Sequence, residues 1–371
     1  MGVTRPRSLR ALVRVTAALI AFTLCGSFAA LATHNEANAA QVGVGKLTAG
    51  PVARPTTTLP PTTEPPTTEP PPTEPPPTTE PPTTEPPAPA PAIVVAAAPG
   101  PPLAAPGAFT FDPYAGLGSW IDVYDWSETY GGSAVGIADI DRMASLGVQT
   151  VFVQATRWDA PTPILEPDRL VSLINRARQD GMRVVAWYLP DLGDPNDDMQ
   201  RLVAVAGLPI DGLAVDIESR KVEDVDDRNQ RLLSLSAALR QRLPGQVLSA
   251  IVLPPVVMED VNPNYWPDYP WAGLAQYFDV WQPMSYWTNR RPEWRDAYLY
   301  TATNIDRIRE HVGNPNAVVH TIGGIGDTST PDDITGLVRA ASERGCIGGS
   351  VYDYRTTGDD LWPGLQGLRS G

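Results

Sequence analysis

Two carboxylates close a short apolar run in the segment Asp211-Gly-Leu-Ala-Val-Asp-Ile-Glu-Ser219. With the period of two of an extended chain, Leu213, Val215 and Ile217 face one side, and Ala214, Asp216 and Glu218 face the other. Asp216 and Glu218 therefore share a face, with Cα atoms roughly 7 Å apart. Such a pair suits the hydrolysis of a glycosidic bond, in which one carboxyl protonates the leaving oxygen and its neighbour holds or stabilises the sugar. Solvated loop acids or a structural ion pair would give the same residues. The elements that position the pair have to decide.

Other chemistries have less to stand on. From residue 107 onward there are two histidines, His311 and His320, too few for a histidine-rich metal site. There is no Gly-x-Ser-x-Gly elbow and no phosphate loop. Cys346 is the one thiol beyond the N-terminal apolar run, so no internal disulfide forms there, and it reads as a small buried hydrophobe. Neither a metal nor a cofactor is expected.

Short apolar runs predict strands at 119–124, 150–154, 182–188, 212–217, 247–252, 279–284, 317–322 and 349–353. Amphipathic segments between them predict helices at 137–146, 167–180, 197–206, 226–243, 271–277, 297–312 and 331–344. Pro167-Asp and Pro331-Asp-Asp read as helix starts, and Gly181, Gly313 and Gly345 as stops. Strands alternating with helices over about 260 residues make an α/β chain of the (β/α)8 TIM barrel class. A doubly wound open sheet is the alternative, but no Gly-x-Gly-x-x-Gly turn follows the first strand, and Gly323-Gly-Ile-Gly326 reads as a loop.

In a barrel the carboxyl ends of the strands line the site. Those ends offer Asp122 and Asp125, then Gln154, Thr156 and Arg157, then Trp187, Tyr188 and Asp191. Asp216 and Glu218 follow, then Gln282, Met284, Tyr286 and Trp287, and finally Tyr352 and Asp353. Trp281 adds another aromatic. The expected site is thus Glu218 and Asp216 with Tyr286 as catalytic groups. Asp122, Gln154, Trp187, Tyr188, Gln282, Met284, Trp287, Tyr352 and Asp353 are the expected substrate contacts.

The stretch DGLAVDIE resembles the Asp-x-x-Asp-x-Asp-x-Glu signature of family 18 chitinases. Gln282-Pro-Met-Ser-Tyr286 is similar to that family's Met-x-Tyr, and Gly348-Gly-Ser-Val-Tyr352 to its last strand. The resemblance implies that Glu218 is the general acid and that Asp216 orients a 2-acetamido group. It implies further that Tyr286 bonds near that group, that Asp211 opens the signature, and that the substrate's own N-acetyl carbonyl is the nucleophile. The sequence departs from the pattern at Ala214, where the family has its second Asp, and at Asp353, where it has an aromatic floor. Trp120-Ile-Asp-Val-Tyr-Asp125 with Val151-Phe-Val-Gln-Ala-Thr156 is similar to the opening of family 25 lysozymes, whose Asp-x-Glu strand again maps to Asp216 and Glu218.

The N-terminal 106 residues are of another kind. Arg5, Arg7, Arg10 and Arg14 precede an uncharged run from Val15 to Thr33, then Ala37-Asn-Ala39. That order predicts a secretory signal over 1–40, or an uncleaved signal-anchor that would be the only membrane attachment. Residues 41–106 read as a disordered Pro/Thr-rich linker, with a Thr-Thr-Glu-Pro-Pro repeat over 55–91 that would reach about 115 Å as polyproline. The domain proper is 107–371. Residues 1–106 hold six basic and six acidic side chains, so the net charge of −14 lies wholly in the domain and disfavours nucleic acid. The reading is a secreted or surface-tethered, monomeric glycosidase on an N-acetylhexosamine polysaccharide such as peptidoglycan. The alternative is a catalytically silent barrel that binds envelope glycan.

Overall fold

The computed structural model describes residues 108–370 apart from residue 133. The signal and linker expectations, 1–106, lie outside the described residues.

Eight parallel strands close into a barrel in chain order: β1 (Gly116–Ile121), β2 (Thr150–Arg157), β3 (Arg183–Leu189), β4 (Gly212–Ile217), β5 (Leu248–Val252), β6 (Val280–Pro283), β7 (Val318–Ile325) and β8 (Gly348–Tyr352). Closure is made by Gly116 and Leu117 of β1, which pair with Gly348 and Gly349 of β8. The helices are α1 (Val123–Trp126), α2 (Ile137–Ser145), α3 (Pro167–Gln179), α4 (Pro195–Ala206), α5 (Val225–Arg242), α6 (Trp271–Leu274), α7 (Ala297–His311), α8 (Pro331–Glu343) and α9 (Trp362–Leu365). Among the described residues no helix is long and apolar enough to cross a membrane.

Local chemistry sets the boundaries. Thr330 caps α8 in a reciprocal box with Asp333, with Pro331 in the first turn. Gly181, Gly313 and Gly345 end their helices at φ of 81°, 66° and 58°, a left-handed turn that side chains other than glycine resist. The first strand runs 116–121, earlier than the expected 119–124. Asp122 turns the chain instead: its carboxylate accepts from Tyr124 N and Asp125 N and starts α1. A good N-cap has overridden the β preference of the Val-Tyr that follows.

Gly323 and Gly324 are corrected from loop to strand. They lie inside β7, and the Trp287 ring fills the space where a Cβ at either would stand, which is why glycine is needed there. The amino-terminal end of the barrel is plugged by Tyr114, whose hydroxyl donates to Leu213 O at 2.9 Å and accepts from Leu213 N at 3.0 Å. Above it a buried polar chain runs upward. His320 Nδ1 bonds Tyr114 O at 2.8 Å, His320 Nε2 meets Ser350 Oγ at 3.0 Å, and Trp120 Nε1 donates to Ser350 Oγ at 2.8 Å. Burial pushes the imidazole down to about 4, so it is neutral at physiological pH and can bond one partner with each nitrogen. Phe152 stacks on Trp120 with centroids 4.3 Å apart. This layer is the floor on which the site rests.

Candidate active site

At the carboxyl ends of the strands a small cavity of about 20 Å³ is lined by Trp120, Trp187, Asp216, Ile251, Met284, Tyr286, Ile322 and Tyr352. All strands except β2 contribute, directly or by the residues just past them. The period of two explains the choice on β4: Ala214 and Asp216 point inward, with Ala214 fully buried beneath the acid. Ala214 pairs across to Trp187 of β3 and Asp216 to Ile251 of β5, which builds the wall on either side.

Asp216 is 5% exposed, and its Oδ1 has no hydrogen-bond partner. Burial first, and the Glu218 charge second, push its carboxyl well above the usual range. Glu218 follows the strand end, half-buried, and burial raises it to about 7. The two titrate as a pair, so at neutral pH the pair retains protons that isolated carboxyls would have lost. Trp187 Nε1, in the same wall, is also without a partner. So is the hydroxyl of buried Tyr269, which feels the Asp216 charge. Buried polar groups are normally satisfied. A carboxylate oxygen, an indole N–H and a phenol close to one apolar cavity would suit a ligand with its own donors and acceptors.

A second cluster adjoins. Asp122, Asp125 and Asp353 each place a carboxylate oxygen within 4.8 Å of the others. By geometry they could hold a cation, a grouping that the sequence reading did not anticipate. They are engaged within the protein: Tyr352 OH donates to Asp122 Oδ2 at 2.7 Å, Arg355 pairs with Asp125 at 3.2 Å, and Thr356 N donates to Asp353 Oδ1 at 2.9 Å. Burial, then the neighbouring Asp122 charge, raises Asp353 to about 6, and the same two causes raise Asp125.

The expected residues divide into those facing the cavity and those holding its frame. Asp216, Trp187, Met284, Tyr286 and Tyr352 line it; Glu218 lies outside the lining, just past the end of β4, where its charge acts on Asp216. Asp122 and Asp353 stand behind Tyr352. Gln154 clamps β2 to α1 by accepting from Val123 N at 3.2 Å. Gln282 is fully buried and accepts from Ser249 Oγ at 2.7 Å.

Two expected contacts point elsewhere. Tyr188 alternates with Trp187 and so faces outward, where its hydroxyl donates to Asp198 of α4 at 2.5 Å. Trp287 is fully buried against Gly323 and Gly324, with no face for a sugar. Trp281 likewise packs on Trp271 of α6. Asp211 sits at the opposite end of β4, where it accepts from Val184 N and pairs with Arg178.

Four participants were missed. Trp120 shares its alternation with Asp122 and was within reach of the sequence pattern. Ile251 and Ile322 look like any core residue. Tyr269 comes from the long excursion between β5 and β6, and no local signal points it at Asp216.

No family model matches the sequence, and no curated protein matches it. Solved structures do. The C-terminal domain of a protein from Desulfitobacterium hafniense DCB-2, classed as a chitinase, superposes with a TM-score of 0.51 at 15% identity, covering 69% of this chain and 100% of that one. A GH18 chitinase from Cycas revoluta, in complex with (GlcNAc)3, gives 0.51 at 11% identity, with 68% and 99% covered. The Bacillus cereus spore cortex-lytic enzyme SleL gives 0.50 at 10% identity, with 69% and 74% covered. At these identities the likeness shows the fold: this is the (β/α)8 barrel on which family 18 chitinases are built.

Proposed function

We propose that the chain is a glycoside hydrolase acting on a polysaccharide that contains N-acetylhexosamine, with Glu218 as the proton donor. The observation that carries this is the pair Asp216–Glu218 at an aromatic-walled cavity, one acid buried with an unpartnered oxygen and the other raised to about 7. The cavity, about 20 Å³, has room for little more than a water, far below the ~300–1,000 Å³ of ligand pockets, so its walls must part to admit a sugar ring. Glu218 protonates the glycosidic oxygen as the C–O bond breaks. The acetamido carbonyl of the substrate attacks the sugar's C1 from the other face, and Asp216 holds the acetamido N–H and stabilises the charge that develops on it. Water then opens the intermediate, with Glu218 as base. The structures named above, a chitinase holding (GlcNAc)3 and a cortex-lytic enzyme, support N-acetylhexosamine glycans as the substrate class.

The rival is a silent glycan-binding barrel, which Ala214 favours because Asp216 lacks a second acid beneath it. We further propose export by residues 1–40 and a stalk of residues 55–91 that carries the barrel into the cell envelope. Incubating the purified chain with chitin, peptidoglycan and neutral glycans tests the activity: new reducing ends on an N-acetylhexosamine polymer are expected. Binding with no new ends on any glycan would establish the rival.

A further inference from the structure

The domain carries the whole net charge of −14, yet cations gather at the rim beside Glu218. Arg220 lies two residues past Glu218 and is exposed, with its guanidinium 4.6 Å from the centroid of Tyr265. Tyr265 in turn donates to Glu218 O at 3.4 Å, which fixes Arg220 against the loop of the acid. Among the described residues no carboxylate pairs with Arg220. Of the acids that follow, Asp224 caps α5 through Asp227 N and Asp227 holds Arg231, while Glu223 and Asp226 are exposed and make no ion pair with Arg220.

On the other flank, Lys221 bonds Asp191 and lies 4.5 Å from the centroid of Trp158. Arg157 forks onto Asp159 and approaches Trp158, Tyr124 and Tyr130 at 5.8, 5.3 and 5.2 Å. Trp158, at 37%, is the one exposed tryptophan of the ten.

Past Glu218 the chain thus sets Arg220 over the Tyr265 ring and Lys221 over the ring of half-exposed Trp158, which stands beyond β2. A guanidinium matches a carboxylate by a two-point fork, and an indole face holds a sugar ring. We propose that this rim reads a carboxylate on the glycan: Arg220 takes the acid group, the exposed part of Trp158 offers a sugar ring apolar contact, and the substrate class is an N-acetylhexosamine polymer with acid-bearing residues rather than a neutral one. The inference rests on the reading of Glu218 as the acid, but its test does not require turnover.

The test measures binding of the full chain carrying Glu218→Gln to two probes. These are muramic-acid-containing glycan strands freed of peptide, and the same strands with their carboxyls reduced to alcohols. The acidic strands should bind about three- to tenfold more tightly at low salt, the range for one or two partly exposed charge pairs. That ratio should fall toward one when Arg220→Gln is added, and also in about 0.5 M salt. Arg339→Gln, on the outer helix α8, should leave the ratio in place. A ratio of one in the parent, a ratio unmoved by Arg220→Gln, or no binding of either probe overturns the proposal. Hydrolysis of chitin without a carboxylate preference would remove the rim assignment and leave the hydrolase. A carboxylate preference with no hydrolysis by the parent chain would do the reverse.

Discussion

The Tyr352 hydroxyl donates to Asp122 Oδ2 across 2.7 Å, so the wall of the cavity on β8 is bolted to the cap that ends β1. The same carboxylate holds Tyr124 N and Asp125 N through its other oxygen. One acid therefore fixes both the turn and the ring that faces the cavity.

Tyr352→Phe keeps the ring and removes the donor. Leaving Asp122 short of a partner should lower stability by about 1–3 kcal/mol, read from urea denaturation at pH 7. Burial already raises the Asp122 carboxyl and the Tyr352 bond counteracts it, so the variant should send it higher still. An unchanged denaturation midpoint would show that the bond carries no stability.

Glu218→Gln retains size and removes the transferable proton. Turnover should fall by about 10²–10⁴-fold while glycan affinity persists. In the parent, kcat should hold up to about pH 7 and decline above it, as Glu218 loses its proton. A variant hydrolysing at the parental rate sinks the assignment of β4 as the catalytic strand.

Stability should depend on pH through the same residue. Glu218 is raised from an ordinary 4.5 to about 7, so the folded state binds its proton more tightly than the unfolded chain does. Its contribution is full below about 4.5 and is lost as pH rises through about 7. His320, lowered to about 4 from 6.5, acts oppositely, gaining stability as pH climbs over that span. The two slopes offset in the parent. The difference between parent and Glu218→Gln isolates the first, and that difference should turn against the parent between pH 4.5 and 7. A flat difference curve would show that Glu218 titrates alike in both states.

The two tryptophans expected to hold sugar should separate. Trp187→Ala opens the cavity wall and should weaken glycan binding as well as stability. Trp287→Ala empties a core site against Gly323 and Gly324 and should destabilise by about 3–5 kcal/mol. Calorimetry alongside pull-down on insoluble glycan distinguishes them. Equal loss of binding in both, with folding intact, would return Trp287 to the site.

The barrel, the β4 acids and most element boundaries were legible in the sequence because they depend on local physics. Periodicity sets which residues face inward, and caps such as Thr330 and stops such as Gly345 act within a turn. The β1 boundary slipped because Asp122 has two local options, strand or cap, and the donors of the next turn settled it. What the sequence left open was which side chains meet. Trp187 and Tyr188 are adjacent, yet one enters the cavity and the other goes to α4, a choice made by the register of β3 against its neighbours. Trp287 follows Tyr286 by one residue and is taken up by two glycines more than thirty positions away. Tyr269 reaches Asp216 only because the chain between β5 and β6 folds back over the barrel mouth. Alternation along one strand is a property of the chain. The company an inward side chain keeps is decided by seven other strands and the segments between them, which come together only when the barrel closes.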